Sequence, residues 1–258
     1  MDNLDLTQPE TAYLFAFALG DGHLWKGKGN KGKLTIELAR KDRALLEHFQ
    51  SLLPVATTLR DRCRDTNFKD NYKSTTLTIC DMAFRKALHE SGMPVGKKSN
   101  APILTQRFSA TDFWRGLIDA NGSVGYTASG IPFVSLNTAS SIIASSYAAF
   151  LKLVISKEKK VEPNNRDHTY NIVVWKEDAQ KLCRILYYQH CIALARKLKN
   201  AQRVLKWKRP KDMRIAPTRR AWTTTEDQYV QDHTVAESVA ALNRTAKSIS
   251  VRIWRLRG

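Results

Sequence analysis

Two polar steps in the sequence, Asp21-Gly22 and Asn121-Gly122, carry oxygen-bearing side chains at a separation of 100 residues in a chain of 258. If Asp21 and Asn121 met in space, they would form a candidate site for a divalent cation, because Mg²⁺ takes one or two carboxylates and completes its shell with water and phosphate oxygens. A cation held there could stabilise the charge of a phosphodiester under attack. A single Asp-Gly step is more typical of a turn, so the interpretation depends on the pairing of the two steps.

The segments around the two steps are copies of one pattern. Leu14-Phe-Ala-Phe-Ala-Leu-Gly-Asp-Gly22 is matched by Trp114-Arg-Gly-Leu-Ile-Asp-Ala-Asn-Gly122. Each copy continues with an alternating stretch, a helical stretch and a second alternating stretch, at residues 34–38, 42–53 and 75–80 in the first and 132–136, 141–153 and 170–175 in the second. A further helix start and a basic pair close each copy. Alternation is typical of half-buried strands, so the repeat predicts two α-β-β-α-β-β-α halves.

The first helix of each half is the element that must position the two polar side chains. Thr7-Gln-Pro-Glu10 predicts the start of the first helix, as a capping box with proline in the first turn. Ala16 and Gly20 share one face of that helix, and Gly116 and Ala120 occupy the matching positions in the second copy. Small residues on one stripe let helix backbones approach closely. We therefore predict that the two helices pack on a pseudo-twofold axis with their C-terminal ends together.

Both segments resemble the paired signatures of the LAGLIDADG homing endonucleases, and Gly-Leu-Ile-Asp-Ala-Asn-Gly at 116–122 is the closer match by letter. The resemblance covers about residues 7–205. It implies an α+β fold in which two four-stranded antiparallel sheets form a saddle over the DNA major groove, a groove that a β-ribbon can enter and read. Because both signatures lie in one chain, it also implies a monomer.

The resemblance implies the site residues too. They are Asp21 and Asn121 as metal-binding side chains, the carbonyls of Gly20 and Ala120 as further ligands, and Lys98 (or Lys97) and Lys197 as lysines near the cut phosphates. The implied metal is Mg²⁺, or Mn²⁺, with Ca²⁺ as a non-catalytic substitute.

Asn121 departs from the family pattern, which has an acid at this position. Its neutral amide binds Mg²⁺ poorly. Three explanations stay open at this point: the site was disabled on purpose, the protein nicks one strand, or cleavage was lost while binding was kept.

The charge balance indicates the partner. Forty-two Lys+Arg against 24 Asp+Glu give a net charge of +18, which is typical of proteins that bind a polyanion. A merely soluble basic protein or a ribosomal RNA binder is the alternative; we expect double-stranded DNA. The candidate DNA-contacting residues are Lys26, Lys28, Lys31, Lys33, Arg40, Arg60, Arg62, Arg64 and Lys73 in the first half; Tyr126, Ser135, Asn137, Asn165, Arg166 and His168 in the second; Lys206, Lys208, Arg209, Lys211, Arg219 and Arg220 in a linker; and Lys247, Arg252 and Arg255 in the last helix. The second half is less basic, which implies an asymmetric target.

The C-terminal region predicts a separate module. We expect a first half at 1–100, a second at 101–202, a basic linker at 203–220 and a small all-α domain at 221–258. Trp222 leads three short helical patterns, with Thr223 or Thr224 as a cap, Asn243 at a turn and a basic last helix. This arrangement resembles Myb-type helix-turn-helix modules, which place a helix in the major groove. The alternatives are a solvated tether for the linker and a capping or dimerisation unit for the helices.

Several classes of protein are excluded by composition. At 43% hydrophobic residues the chain can build a core and is not disordered as a whole. It lacks an apolar run of membrane-spanning length and a signal-peptide pattern, so we expect an intracellular, cytoplasmic protein that uses no membrane. The family resemblance implies a phage, bacterial or organellar host, and the implied monomer needs no protein partner. The four cysteines, Cys63, Cys80, Cys183 and Cys191, lack zinc-site spacing and should be reduced.

The leading hypothesis is a site-specific, metal-dependent endonuclease that cuts both strands of DNA where both sites are competent. A non-cutting transcription regulator and an RNA-splicing maturase on the same fold are the alternatives.

Overall fold

The computed structural model describes residues 4–27, 31–67, 69–96, 106–213 and 220–257. The predicted site residues Lys28, Lys98 (with its alternative Lys97) and Arg219 lie outside the described residues. The chain divides into two compact units, Met1–Arg209 and Pro210–Gly258. Within the described ranges no helix is long and apolar enough to cross a membrane.

The first half of the larger unit follows the predicted order of elements. It comprises α1 (Pro9–Asp21), β1 (Gly22–Trp25), β2 (Lys33–Ala39), a 3-10 turn (Arg40–Asp42), α2 (Arg43–Leu52), β3 (Thr57–Thr66), β4 (Lys69–Ile79) and α3 (Met82–Glu90). The four strands form one antiparallel sheet in the order β1-β2-β4-β3. The strand and helix pattern expected for this half is confirmed.

The second half has one strand fewer than expected. Its elements are α4 (Ala110–Asn121), β5 (Gly122–Tyr126), β6 (Pro132–Thr138), α5 (Ser141–Ile155), β7 (Tyr170–Trp175), α6 (Lys176–Leu186) and α7 (Ala195–Leu205). The sheet is three-stranded and antiparallel, in the order β5-β6-β7. Between α5 and β7 only a single bridge forms, from Pro163 to Tyr170. The prediction of four strands here is wrong because the intervening segment is lysine-rich, does not alternate, and contains a proline that cannot donate to a ladder.

The core lies between the helices and one face of each sheet. Leu34, Ile36, Leu77 and Ile79 form the buried face of the first sheet, and Val134, Leu136, Ile172 and Val174 that of the second. Helix α1 is buried along almost its whole length, from Ala12 to Gly20. A helix that is apolar on all sides in this way belongs to the interior of a protein, and α1 packs there along α4.

The start of α1 differs from the expectation in one detail. Pro9 takes the first helical position, as predicted, but the N-cap is Gln8 and makes no side-chain capping bond. The Thr7 hydroxyl instead donates to the Asp5 carboxylate, 2.6 Å away. The predicted capping box between Thr7 and Glu10 is therefore wrong, because an upstream carboxylate takes the threonine.

The smaller unit is a bundle of three short helices, α8 (Thr224–Asp232), α9 (Val235–Leu242) and α10 (Ala246–Arg257). Thr223 and Thr234 begin the first two helices with complete capping boxes. Asn243 adopts the left-handed conformation at the end of α9, as the predicted turn requires. Val230 and Ile249 are buried between the helices.

Candidate functional site

The site rests on the close approach of α1 and α4. A Cβ built on Gly20 would lie 2.3 Å from the Cβ of Ala120, and a Cβ on Gly116 would lie 2.9 Å from the Cβ of Ala16 and 2.5 Å from the carbonyl oxygen of Tyr13. Contacts of that length are shorter than carbon atoms tolerate, so the interface admits no further side chain at either glycine. The small-residue stripe predicted from the repeat is the packing surface of the two helices.

The two candidate polar side chains stand where these helices end. Asp21 is the last residue of α1 and Asn121 the last of α4, and both are exposed. The Asn121 amide nitrogen lies 3.5 Å from a Cβ built on Gly20, the neighbour of Asp21 in the chain. Each helix runs directly into the first strand of its sheet. The predicted meeting of the two helix ends is thus confirmed.

The donor set at this place is sparse. In the described ranges, no group of three or more His, Cys, Asp or Glu side chains could hold a metal ion. Asp21 offers a carboxylate, whereas Asn121 offers only a neutral amide. A cation here would therefore depend on Asp21, on backbone carbonyls, on water and on a ligand's own oxygens.

Lys197 lies beneath the end of α4 and not on the exposed surface. Its ammonium donates to the carbonyl oxygens of Ile118 at 2.7 Å, Asp119 at 2.6 Å and Gly122 at 2.8 Å. The last carbonyls of a helix have no partner within the helix, and a cation there also complements the helix dipole. Burial lowers the pKa of Lys197 to about 8, against the opposing effect of the nearby Asp119 carboxylate. The placement of Lys197 near a cut phosphate stays a prediction. In this structure all three N–H groups of its ammonium donate to backbone carbonyls.

A buried carboxylate that the sequence analysis missed holds this region together. Asp119 accepts hydrogen bonds from the hydroxyls of Tyr13 and Tyr187 and from the backbone N–H of Leu194, each at 2.7 Å. Burial raises the pKa of this carboxyl above its usual range. The residue joins α1, α4 and the segment that leads into α7. The sequence did contain a signal for Asp119. It is a charged residue at the position where the first copy of the repeat has the apolar Leu19.

Arg115 forms a second buried polar anchor on the same helix. Its guanidinium donates to the carbonyls of Ile192 at 2.7 Å and Leu186 at 2.8 Å, and pairs with Asp112. It also lies 5.1 Å from the ring centre of Tyr13. These bonds tie the chain between α6 and α7 to α4, and this segment leads directly to Lys197.

The first sheet presents a row of cations on its outward face. Arg60, Arg62 and Arg64 alternate along β3 and are exposed. The strand register places them beside Thr76, Ser74 and Tyr72 of β4, respectively, on the face away from the core. Lys33, at the start of β2, is exposed opposite Trp25 of β1. Lys26 follows the end of β1 and Lys31 precedes the start of β2, and both are exposed. Most of the predicted cations that the structure describes in this region are therefore exposed on the outward face of the sheet or at its β1–β2 end.

Two predicted members do not belong to this row. Arg40 pairs with Asp61, 3.4 Å away, and Asp61 alternates with the arginines and so points to the other face. Lys73 lies opposite Cys63, again on that other face. The strand register decides this separation, and the composition of the segment does not reveal it.

The second sheet presents a different outward face. Asn137 of β6 is exposed and is the register partner of Asn171 of β7, which is also exposed and was not among the predicted residues. Farther along the same face lie Ser123, Ser135, Val173, Phe133 and Trp175. The signal for Asn171 was its alternation with the buried Ile172 and Val174.

Tyr126 and Arg166 lie outside this face. The Tyr126 hydroxyl donates to the carbonyl of Arg203 at 2.8 Å, so the ring is turned toward α7. Arg166 is exposed in the loop before β7 and pairs with Asp167 at 3.3 Å. Asn165 and His168 are exposed in that same loop.

The predicted cations of the C-terminal region divide into exposed and engaged groups. Lys206, Lys208, Lys211, Lys247 and Arg255 are exposed. Arg209 is held by both oxygens of Glu177, at 2.6 and 2.7 Å. Within the smaller unit Arg220 pairs with Glu226, and Arg252 pairs with Asp227 at 2.6 Å. Arg220 and Arg252 therefore serve the fold of that unit in this structure.

Comparison with known proteins identifies the fold. Residues 8–91, in the first half of the larger unit, match the LAGLIDADG-like domain family. The structure resembles the meganuclease I-SmaMI bound to uncleavable DNA. For the complex whose DNA has a TTCT central four, the TM-score is 0.51 and the sequence identity is 10%. The match covers 77% of this chain and 89% of the I-SmaMI chain. With a TTGT central four the TM-score is 0.52 at 11% identity, covering 80% and 90%. The mixed α+β fold with antiparallel sheets is that of LAGLIDADG homing endonucleases.

A curated relative matches a shorter stretch. Over 99 residues the chain is 28% identical to the tRNA-splicing ligase RtcB of Methanocaldococcus jannaschii, covering 34% of this chain and 10% of the ligase. The chain therefore spans about a tenth of the length of that relative.

Proposed function

We propose that this protein is a site-specific, homing-type endonuclease for duplex DNA, and that it cuts one strand of its target. The observation that carries the proposal is the pairing of the two helix ends, with the Asp21 carboxylate on one and the neutral Asn121 amide on the other. The cationic outward face of the first sheet supports duplex DNA as the substrate. The fold supports the same class of activity.

The end of α1 fits a divalent cation. The Asp21 carboxylate and the Gly20 carbonyl are oxygen donors of the kind that Mg²⁺ and Mn²⁺ prefer, and Ca²⁺ would bind there without supporting cleavage. When bound, such a cation stabilises the negative charge that develops on a phosphate during hydrolysis. Asp21 supplies the charge that holds it, and the exposed position of Asp21 leaves room for water and a phosphate oxygen.

The end of α4 does not fit a divalent cation. Asn121 brings no negative charge, and the Lys197 ammonium already occupies the carbonyls of Ile118, Asp119 and Gly122. A second cation here would meet the positive charge of the Lys197 ammonium, with no carboxylate on Asn121 to offset it. We therefore derive no hydrolytic step at this end, and the DNA strand facing it is left intact.

Plasmid cleavage tests the proposal. The target is first selected from randomised duplexes with the full-length Asp21→Asn variant, which should bind without cutting, and is then inserted into a supercoiled plasmid. With Mg²⁺, we expect the natural chain to produce nicked circles, Asn121→Asp to produce linear plasmid, and Asp21→Asn to leave the plasmid supercoiled. Titration with Mn²⁺, followed by its electron paramagnetic resonance signal, should show one bound ion per protein–DNA complex and none for Asp21→Asn.

Each result is decisive. Linear plasmid from the natural chain would reject the single-strand cut while keeping the endonuclease. Cleavage unchanged by Asn121→Asp would show that the site is misassigned.

A non-cutting DNA-binding regulator is the second candidate. The observation that favours it is the second helix end, which combines a neutral side chain with a buried lysine. Sequence-specific binding without any Mg²⁺-dependent nicking would establish the regulator and reject the nuclease.

The smaller unit extends the proposed contact with DNA. Lys247 and Arg255 are exposed on α10, the third helix, as the helix-turn-helix interpretation requires. The proposed form in solution is a monomer, since both helix ends lie in one chain.

A further inference from the structure

We infer that the two sheets read half-sites of opposite base composition, the first sheet preferring guanine and the second preferring adenine and thymine. This inference rests on the proposed function and adds the sequence class of the target. The outward residues of each sheet carry it, because these are the side chains that a DNA groove would meet.

The outward face of the first sheet presents arginines suited to guanine. Arg60 and Arg62 are exposed at alternate positions of β3, and their guanidinium groups form no ion pair with another described residue. Alternate residues of a strand are separated by about 6.6 Å along it. A guanidinium can donate two hydrogen bonds to the O6 and N7 atoms of one guanine. Arg64, by contrast, pairs with Glu37 at 3.0 Å and is held in the protein.

The outward face of the second sheet presents side-chain amides suited to adenine. Asn137 and Asn171 are directly opposite each other in the antiparallel register and are both exposed. Neither side-chain amide bonds to another residue in the part of the chain that the structure describes. An asparagine amide can donate to N7 and accept from the N6 amino group of one adenine. Two adjacent amides therefore form a pair of adenine-reading groups.

An apolar group follows on that same face. Phe133 and Trp175 are register partners with ring centres 5.6 Å apart, and Val173 lies nearby on the same strand as Trp175. Apolar side chains in the major groove contact the methyl group of thymine. The strands β5, β6 and β7 contain no lysine or arginine, so this face lacks the side chains that favour guanine.

Electrostatics alone would not produce this difference. An arginine that only neutralised phosphate would contribute equally to the binding of every sequence. An arginine that contacts a base is different, because its removal relaxes the sequence specificity at that one position. Lys73 provides the matched control, since it is a cation on the same ribbon but on the opposite face from Arg60 and Arg62.

Binding selection on the full-length protein tests the inference. The Asp21→Asn variant is incubated with duplexes randomised over the whole target length, and the bound sequences are read. We expect one half-site rich in guanine on the strand read by the first sheet and the other rich in adenine and thymine. Arg62→Ala should lower the preference for guanine at one position by about 5- to 150-fold, and Asn171→Ala should do the same for adenine at a position in the other half-site. Lys73→Ala should leave both preferences unchanged.

The outcomes separate the inference from the function it rests on. Selected sites with equal composition in both halves, or an Asn171→Ala variant that selects the same site, would overturn the inference while leaving a sequence-specific DNA-binding protein. Failure to bind any duplex would overturn the proposed function itself. Thermal unfolding by circular dichroism checks that each variant is folded, and the conservative Asn171→Gln variant tests the same position with its amide retained.

Discussion

Gly20 of α1 and Ala120 of α4 meet at the point where the two helices end, and a Cβ on Gly20 would lie 2.3 Å from that of Ala120. The next residue in each helix is a candidate side chain of the site. The contact therefore sets the spacing of Asp21 and Asn121, so the packing of the helices and the geometry of the site depend on the same few atoms.

Replacing Gly20 with alanine should destabilise the protein. The added methyl group has no space, and overpacking of this kind costs about 1–3 kcal/mol. Chemical denaturation measures the change. Gly125→Ala is the control. A Cβ built on Gly125 would have the Asn200 amide nitrogen, 3.9 Å away, as its nearest atom apart from those of the neighbouring residues in the sequence. The double variant Gly20→Ala with Ala120→Gly moves the methyl group across the interface. We expect its loss of unfolding free energy to be smaller than the sum of the losses in the two single variants. Strict additivity would contradict the contact.

Lys197→Met should destabilise the fold by about 2–4 kcal/mol, because it leaves three carbonyls, two of them buried, without their donor. Lys199→Met changes an exposed lysine on the same helix and should alter the stability by less than about 0.5 kcal/mol. If Lys197 instead acted mainly by contacting the cut phosphate, Lys197→Met would leave the stability unchanged and abolish cleavage. Urea denaturation and the plasmid assay, applied to both variants, distinguish these roles.

The smaller unit should lose stability in acid because of Glu226. Its hydrogen bonds with Arg244 lower the pKa of this carboxyl from 4.5 to about 2. The unfolded chain therefore binds more protons than the folded unit between these values, so the stabilisation is present above pH 4.5 and is lost as the pH falls toward 2. Glu226→Gln should weaken this dependence.

Fluorine NMR follows the smaller unit within the full chain. Trp222 stacks against Arg244 at 4.0 Å, and its resonance in 5-fluorotryptophan-labelled protein is assigned with Trp222→Phe. Denaturation midpoints at pH 6 and pH 3 should differ more for the natural chain than for Glu226→Gln. Asp232→Asn, at an exposed position, should behave like the natural chain. Equal midpoints at both pH values would contradict the prediction.

DNA affinity should fall steeply with salt. If six or more phosphates are neutralised, the association constant should drop by about a thousandfold or more between 50 and 200 mM salt. Neutralising three exposed lysines, Lys206, Lys208 and Lys211, should reduce the slope of log association constant against log salt concentration by about 2.7.

The matched control neutralises three lysines that form ion pairs with glutamates within the protein, and it should leave the slope unchanged. These pairs are Lys86 with Glu90, Lys152 with Glu158 and Lys160 with Glu162. Fluorescence anisotropy at several salt concentrations measures both, and a flat response would contradict the extended contact.

Much of the fold could be predicted because its signals are local. The alternation of apolar residues predicted the strands of the first half, and the small residues at 16, 20, 116 and 120 predicted the packing of α1 on α4. The second sheet could not be predicted in full. The repeat predicts the same elements in both halves, but the segment before β7 does not alternate and contains Pro163, so no fourth strand forms.

The sequence by itself determined that Asp21 and Asn121 end two helices that pack together, since helix periodicity and side-chain size are properties of neighbouring residues. Only the tertiary structure decided what surrounds them. Lys197 reaches carbonyls 75 to 79 residues away in the chain, and Asp119 binds Tyr13 across 106 residues. Which face Arg60 and Lys73 occupy likewise depends on strand register. Such contacts are set by how elements distant in sequence come together, and no local pattern of residues encodes them.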